Sequence, residues 1–159
     1  MKSELNIAVC EMTSTDQPSA NMAQVQDHLS RGLSSGAKVF FFPEGSLCMR
    51  IERGPLQYTF DLSSKEILSL SHLAHEKQIH IFLGSVPLKQ EVGVANATIW
   101  IRPDGTVEIP YKKIHLFDVD VEGHKSVRES DDFLAGEEPR LIDVEGWKCG
   151  LSICYDLRF

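Results

Sequence analysis

Apolar residues gather along this chain into short continuous runs and into repeats of helical period, and the two kinds of segment alternate. Leu5 to Met12 reads as a buried first strand, and the polar stretch with Ser14, Thr15, Asp16 and Pro18 can start a helix. Met22, Val25, Leu29 and Leu33 then recur at helical spacing until Gly36 ends the pattern. Lys38 to Phe42 predicts a second buried strand. Beyond a loop from Gly45 to Leu62, Ser63 or Ser64 can cap a helix whose apolar face carries Ile67, Leu70, Leu73 and Ala74. His80 to Val86 predicts a third strand. Thr98 to Ile101, the turn Arg102-Pro103-Asp104-Gly105 and Thr106 to Tyr111 form a hairpin signal, because Pro and Asp-Gly supply the dihedrals of a tight turn. A long polar loop from His115 to Pro139 follows, then strands at Leu141 to Val144 and Lys148 to Ile153 around the turn Glu145-Gly146.

Strand, helix, strand, helix, strand and then a hairpin is the order of an α/β fold, with a mixed sheet and flanking helices. No repeat, low-complexity tract or linker divides the chain, so residues 1–159 read as one domain. It ends five residues past Cys154, where a covering helix is expected, so the domain reads as unfinished. The composition, 42% hydrophobic and 25% charged, is that of an ordinary globular protein. With 23 acidic and 16 basic residues the net charge is -7, and the basic residues form no stripe; nucleic acid and anionic membrane are poor partners for such a surface. The N-terminus offers Lys2 and then Glu4, the apolar stretch Ile7 to Cys10 is too short for a signal-peptide core, and no segment is long enough to span a bilayer. A cytoplasmic protein is expected.

Three predicted strands run directly into reactive groups. Val39-Phe40-Phe41-Phe42-Pro43 leads to Glu44, Val107-Glu108-Ile109-Pro110-Tyr111 leads to Lys112 and Lys113, and Gly150-Leu151-Ser152-Ile153 leads to Cys154. Ligands of open α/β sheets bind beyond the carboxyl ends of strands, so a carboxylate, an ammonium and a thiol at three strand ends suggest one shared site. Lys112 and Lys113 are neighbours on an extended segment, and alternation lets one of them face that site without saying which. The four cysteines, Cys10, Cys48, Cys149 and Cys154, contain no CxxC pair. Cys149 and Cys154, read on one strand, fall on opposite faces, which favours reduced thiols over a disulfide or a shared metal. Asn96-Ala97-Thr98 has the form of a glycosylation sequon but stands in a chain with no other sign of secretion, and is taken as chance. His75 to His80 has one residue too many for a zinc helix, and Gly150 to Cys154 lacks the final glycine of a serine elbow. Phosphate-binding glycine loops are absent. No metal or organic cofactor is implied.

The same residues carry a resemblance. Phe42-Pro43-Glu44, Tyr111-Lys112-Lys113-Ile114-His115-Leu116-Phe117 and Ser152-Ile153-Cys154-Tyr155-Asp156-Leu157-Arg158-Phe159 resemble, in order and spacing, the glutamate, lysine and cysteine motifs of the nitrilase superfamily of carbon-nitrogen hydrolases. Arg128-Glu129-Ser130 falls where that family carries a supporting glutamate, and His115-Leu116-Phe117-Asp118-Val119-Asp120-Val121 resembles its omega-amidase and deaminated glutathione amidase branch. The resemblance implies the N-terminal part of an αββα sandwich whose C-terminal half is missing from this chain, and a homodimer or larger assembly. It implies thiol-dependent hydrolysis of the C–N bond of a small amide. Cys154 is then the nucleophile, Glu44 the proton carrier, and Lys113, the second lysine, an oxyanion donor beside the backbone N–H of Tyr155. Glu129 is implied to hold Lys113. Nitrile and carbamoyl-amine hydrolysis are alternatives within the same chemistry, and a non-catalytic truncated or assembly module is the alternative outside it. Asp156 and Arg158 are expected to make structural hydrogen bonds, and His115 to serve as a structural donor.

Overall fold

The computed structural model describes residues 4–51, 55–120, 122–123 and 126–159; Lys2, Val121 and part of the loop from Gly45 to Leu62 lie outside them. Among the described residues nine strands and two α-helices follow in the order β1 (Ile7–Val9), α1 (Pro18–Ser34), β2 (Val39–Phe41), α2 (Lys65–Lys77), β3 (His80–Lys89), β4 (Val94–Ile101), β5 (Val107–Lys112), β6 (Asp118–Val119), β7 (Val127–Arg128), β8 (Leu141–Val144) and β9 (Trp147–Gly150). The first five strands form one mixed sheet in sequence order. β1, β2 and β3 are parallel, joined through the two helices, while β3, β4 and β5 are antiparallel. This is the predicted α/β architecture.

Alternation along β2 splits the core into two layers. Phe40 and Phe42 pack with Val25 and Leu29 of α1, Ile67 and Leu70 of α2, and Ile81 and Ile99 of the sheet. Val39 and Phe41 face the other way, where Phe82 stacks on Phe41 at 4.8 Å and on Trp100 at 5.3 Å and the β8–β9 hairpin adds Val144. Pro18 opens α1, where its missing N–H costs nothing, and Gly36 at φ +80° ends the turn beyond it. Ser64 precedes α2 as the predicted cap residue, but its hydroxyl accepts from the Asp61 N–H at 2.9 Å instead of bonding into the helix.

Four expectations are corrected. β1 is not a buried strand: Ile7 is 53% and Val9 74% exposed, because β1 is the sheet's edge and only the face carrying Ala8 and Cys10 meets the helices. β3 runs past Val86, through Pro87 to Lys89, and pairs with a β4 that starts at Val94, so a hairpin precedes the predicted one. A register shift between Leu83 and Val86 lets the strand continue, and Pro87 has no N–H to lose. The polar stretch from His115 to Pro139 is not wholly loop: β6 and β7 pair within it and a 3-10 turn, Glu129–Asp131, follows. The last strand stops at Gly150, so strand alternation does not relate Cys149 to Cys154; all four cysteines are nonetheless free thiols.

Candidate active site

Glu44 reaches the site because the backbone before it lies directly on β3. The Phe42 N–H donates to the Phe82 carbonyl at 2.8 Å, and the Gly45 N–H donates to the Ser85 hydroxyl at 3.2 Å. Between these anchors Gly84 passes so close to residues 42 and 43 that a Cβ there would lie 2.1 Å from the Phe42 oxygen. The Gly84 carbonyl accepts from the Thr98 hydroxyl at 3.0 Å, which ties the irregular part of β3 to β4.

Lys113 follows directly on β5 and is clamped at both backbone groups. Its N–H donates to the Asn96 carbonyl at 2.9 Å and its carbonyl accepts from Gly136 at 2.7 Å. Its side chain, 2% exposed, lies between two carboxylates: the ammonium donates to Oε1 of Glu44 at 3.1 Å and to Oε1 and Oε2 of Glu129 at 3.1 and 2.9 Å. The choice between the two lysines is thereby made, since Lys112 is the last residue of β5 and pairs with Ala97 of β4. Burial pulls the Lys113 ammonium toward deprotonation, but the hydrogen bonds and charges of Glu129 and Glu44 outweigh it and hold its pKa above the ordinary lysine value. Glu129 is itself buried; Oε2 also accepts the Phe117 N–H at 2.7 Å. The short β6–β7 pairing brings residue 129 back beside residue 117, and the Glu129 N–H donates to the Phe117 carbonyl at 3.2 Å.

Cys154 is the first residue of a 3-10 turn, Cys154–Arg158, and its φ is +48°. A side chain in this left-handed region costs roughly 1 kcal/mol, and the turn is held by Asp156. That buried carboxylate accepts the Tyr111 hydroxyl at 2.7 Å, the Ile153 N–H at 2.9 Å, the His115 N–H at 2.8 Å and the His115 ring Nδ1 at 3.0 Å. It fastens the cysteine turn to the segment on either side of Lys113. Burial alone would raise the Asp156 carboxyl, yet the hydrogen bonds from Tyr111, His115 and Ile153 hold it below the usual carboxylate range. Burial lifts the Tyr111 hydroxyl well above its ordinary pKa, reinforced by the hydrogen bond to Asp156 and its charge. Asp156 and His115 thus make the structural bonds expected of them. Asp156→Ala would leave four donors unpaired, and we expect it to lower stability by about 3 kcal/mol or more, read from urea denaturation. A loss within 0.5 kcal/mol would contradict the anchoring role.

Glu44, Lys113, Glu129 and Cys154 line one cavity of about 470 Å³. Ile51, Tyr58, Phe117 and Val127, each partly exposed, give its walls an apolar character, and Arg50, hydrogen-bonded to Asp132, adds a cation. The Cys154 thiol is raised by burial first, then by the charge of Glu44 and a hydrogen bond to it, while Lys113 acts in the opposite sense. The Tyr155 N–H, next in the turn, has no backbone partner among the described residues. The Tyr155 ring packs edge-on against Phe117 at 5.1 Å and Phe159 at 5.5 Å.

Asn96 is the site residue that sequence reading missed. Far from being a surface sequon, it is buried in β4, and its side-chain amide donates to Oε1 of Glu44 at 2.8 Å and to Oε1 of Glu129 at 3.2 Å. A polar residue inside an apolar strand was the available signal. Among the described residues there is no cluster of His, Cys, Asp and Glu suited to a metal ion, and no helix long and apolar enough to cross a membrane.

The chain is similar to known proteins in sequence and in fold. The carbon-nitrogen hydrolase family model matches residues 6–159. The chain is 30% identical over 161 residues to a hydrolase of Schizosaccharomyces pombe, covering 96% of this chain and 48% of that protein. It is 30% identical over 156 residues to the omega-amidase NIT2 of Homo sapiens, covering 96% of this chain and 55% of that enzyme. In structure it is similar to XC1258 of Xanthomonas campestris, a CN-hydrolase superfamily protein, with a TM-score of 0.77 and 28% identity over 98% of this chain and 55% of that one. The chain spans about half the length of the curated relatives it matches. With the family match running from before the first strand to Phe159 and the nitrilase-type fold around it, the chain belongs to the carbon-nitrogen hydrolase family, within the nitrilase superfamily, and omega-amidases are among the relatives it is similar to.

Proposed function

We propose that the whole protein is a thiol-dependent amidase that hydrolyses the C–N bond of a small amide through an acyl-enzyme on Cys154. The observation that carries this is the meeting of Cys154, Glu44 and Lys113 in one cavity, with the Lys113 ammonium donating to the Glu44 carboxylate at 3.1 Å. Cys154 Sγ attacks the carbonyl carbon while Glu44 takes the thiol proton. The negative charge that develops on the carbonyl oxygen meets Lys113 and the Tyr155 N–H. Glu44 then delivers the proton to the leaving nitrogen, the C–N bond breaks, and ammonia or an amine departs. Water, deprotonated by the same carboxylate, hydrolyses the thioester and frees the thiol. Glu129 holds Lys113 in place. A terminal amide of a dicarboxylate fits the omega-amidase relatives and a cavity with an arginine in its wall, and a deaminated peptide amide is the alternative of the same class. A homodimer or larger assembly in a reducing compartment such as the cytoplasm completes the reading, which the four free thiols support.

Offered succinamate, the whole protein is expected to release ammonia and to show a succinyl adduct on Cys154 by mass spectrometry after rapid acid quench. Ammonia release that persists in Cys154→Ala, or turnover with no thioester on that residue under single-turnover conditions, would overturn the mechanism.

A further inference from the structure

Asn96 donates in two directions from a single nitrogen, to Glu44 and to Glu129, while its backbone carbonyl holds the N–H of the lysine that bridges those same carboxylates. An amide adds two donors here without adding charge. Its consequence appears in the lone pairs of Glu44. A carboxylate oxygen offers about two acceptor sites. Oε1 of Glu44 accepts from Asn96 at 2.8 Å and from Lys113 at 3.1 Å, so both of its sites are engaged. Neither donor engages Oε2.

We propose that Asn96, by occupying Oε1 together with Lys113, assigns proton transfer in this site to the single oxygen Oε2 of Glu44. Asn96 is thus a positioning residue for the exchange between Cys154 and Glu44, and the inference rests on the reading of Glu44 as proton carrier. In the forward step the Sγ–H bond of Cys154 breaks as Sγ bonds to the carbonyl carbon. The proton moves to Oε2 and the carbonyl π pair moves to oxygen. When the C–N bond breaks, the same proton leaves Oε2 for the departing nitrogen and the carboxylate is restored. A carboxylate with both oxygens open could turn and carry the proton away from that nitrogen.

The charged and titratable groups facing Glu44 are Lys113 from beyond β5, Glu129 from the 3-10 turn after β7 and Cys154 from the last turn. Asp16 and Arg50 line the same cavity. Asn96 is a neutral donor set among them, so its removal changes no charge and leaves the ion pairs in place. A hydrogen bond to an ionised group is worth about tenfold to a hundredfold in an equilibrium, which corresponds to roughly one pH unit or more in the proton affinity of the acceptor.

The test follows alkylation of Cys154 by iodoacetamide in the whole protein, quantified on the cysteine peptide across pH, since this reads thiol deprotonation without needing the natural substrate. In Asn96→Ala we expect the acidic limb of the rate profile to move to higher pH by roughly one unit and the plateau to fall about tenfold. Asn96→Ser, which keeps one small donor, should lie between, and it decides the matter if the alanine variant does not fold. A folded Asn96 variant whose profile superimposes on that of the wild type overturns the inference. Glu44→Gln separates the two levels. If it leaves the wild-type profile unchanged, the proton-carrier reading fails and this inference fails with it; if it abolishes the limb while Asn96→Ala leaves it in place, only the role of Asn96 is lost.

Discussion

Lys113→Ala is expected to cut kcat/KM on the order of a thousandfold and to destabilise the fold by about 3–5 kcal/mol. The first figure is the upper end of the cost of removing one preorganised oxyanion donor, the role proposed for this ammonium. The second has a separate origin. Lys113 is 2% exposed and joins Glu44 to a buried Glu129, so its removal leaves two neighbouring carboxylates without their shared cation. Asn96 still donates to each, but supplies no compensating charge. The pH dependence follows by linkage. Because its folded pKa is raised, the lysine's contribution is fully present below the ordinary lysine pKa and is lost only as pH rises through the folded value, in the alkaline range. In the variant the stranded carboxylates reverse this trend, and acidification, which protonates one of them, should recover part of the lost stability. Lys113→Met, which keeps most of the volume, separates charge from packing. Steady-state kinetics and urea denaturation at two pH values test both figures; a variant that retains most of its turnover would remove Lys113 from the mechanism.

Gly84→Ala should destabilise the protein by about 3 kcal/mol or more. The added Cβ would stand 2.1 Å from the Phe42 oxygen and 2.8 Å from the Pro43 carbonyl carbon. Those atoms are backbone, so no rotamer change relieves the overlap, and one strand must move away from the other. Residues 42 and 43 lead straight into Glu44, so activity should fall together with stability. Gly150→Ala is the control: a Cβ there meets nothing within 4 Å, and its stability should change by less than about 0.5 kcal/mol. Thermal unfolding of the two variants makes the comparison, and equal melting temperatures would show that the close approach at Gly84 is not structurally required.

The β1 edge shows where pattern reading stops. Ile7 to Cys10 is apolar along its length, and such a run reads the same whether one or both faces are covered. Coverage depends on what packs against each face, and only Ala8 and Cys10 meet the helices. β3 shows a similar limit: Pro87 and Gly84 both weaken a strand by local criteria, yet the strand continues because β4 pairs with it across a register shift. The stretch between His115 and Pro139 looks like solvated loop because β6 and β7 are two residues each, below the length at which alternation can be read.

Local order in the chain, by contrast, was sufficient for the main architecture and for the chemistry at the strand ends. The helical periods of Met22 to Leu33 and of Ile67 to Ala74, the apolar runs at β2 and β3, and the Pro and Asp-Gly turn before β5 each express backbone preference and burial within a few residues, which is information the sequence holds directly. Glu44, the pair Lys112-Lys113 and Cys154 stood out because each closes a predicted strand with a reactive group. What only the tertiary structure decided depends on residues far apart in sequence. The register that puts Lys113 rather than Lys112 between two carboxylates is set by pairing with β4. The φ of +48° at Cys154 is sustained by Asp156, which draws donors from Tyr111 and His115, 45 and 41 residues away. Asn96 meets Glu44 across 52 residues and Glu129 across 33, and no local pattern encodes such a contact. Short-range preferences select strands, helices and turns, whereas the geometry of a site is fixed by packing, which acts on distances in space and not along the chain.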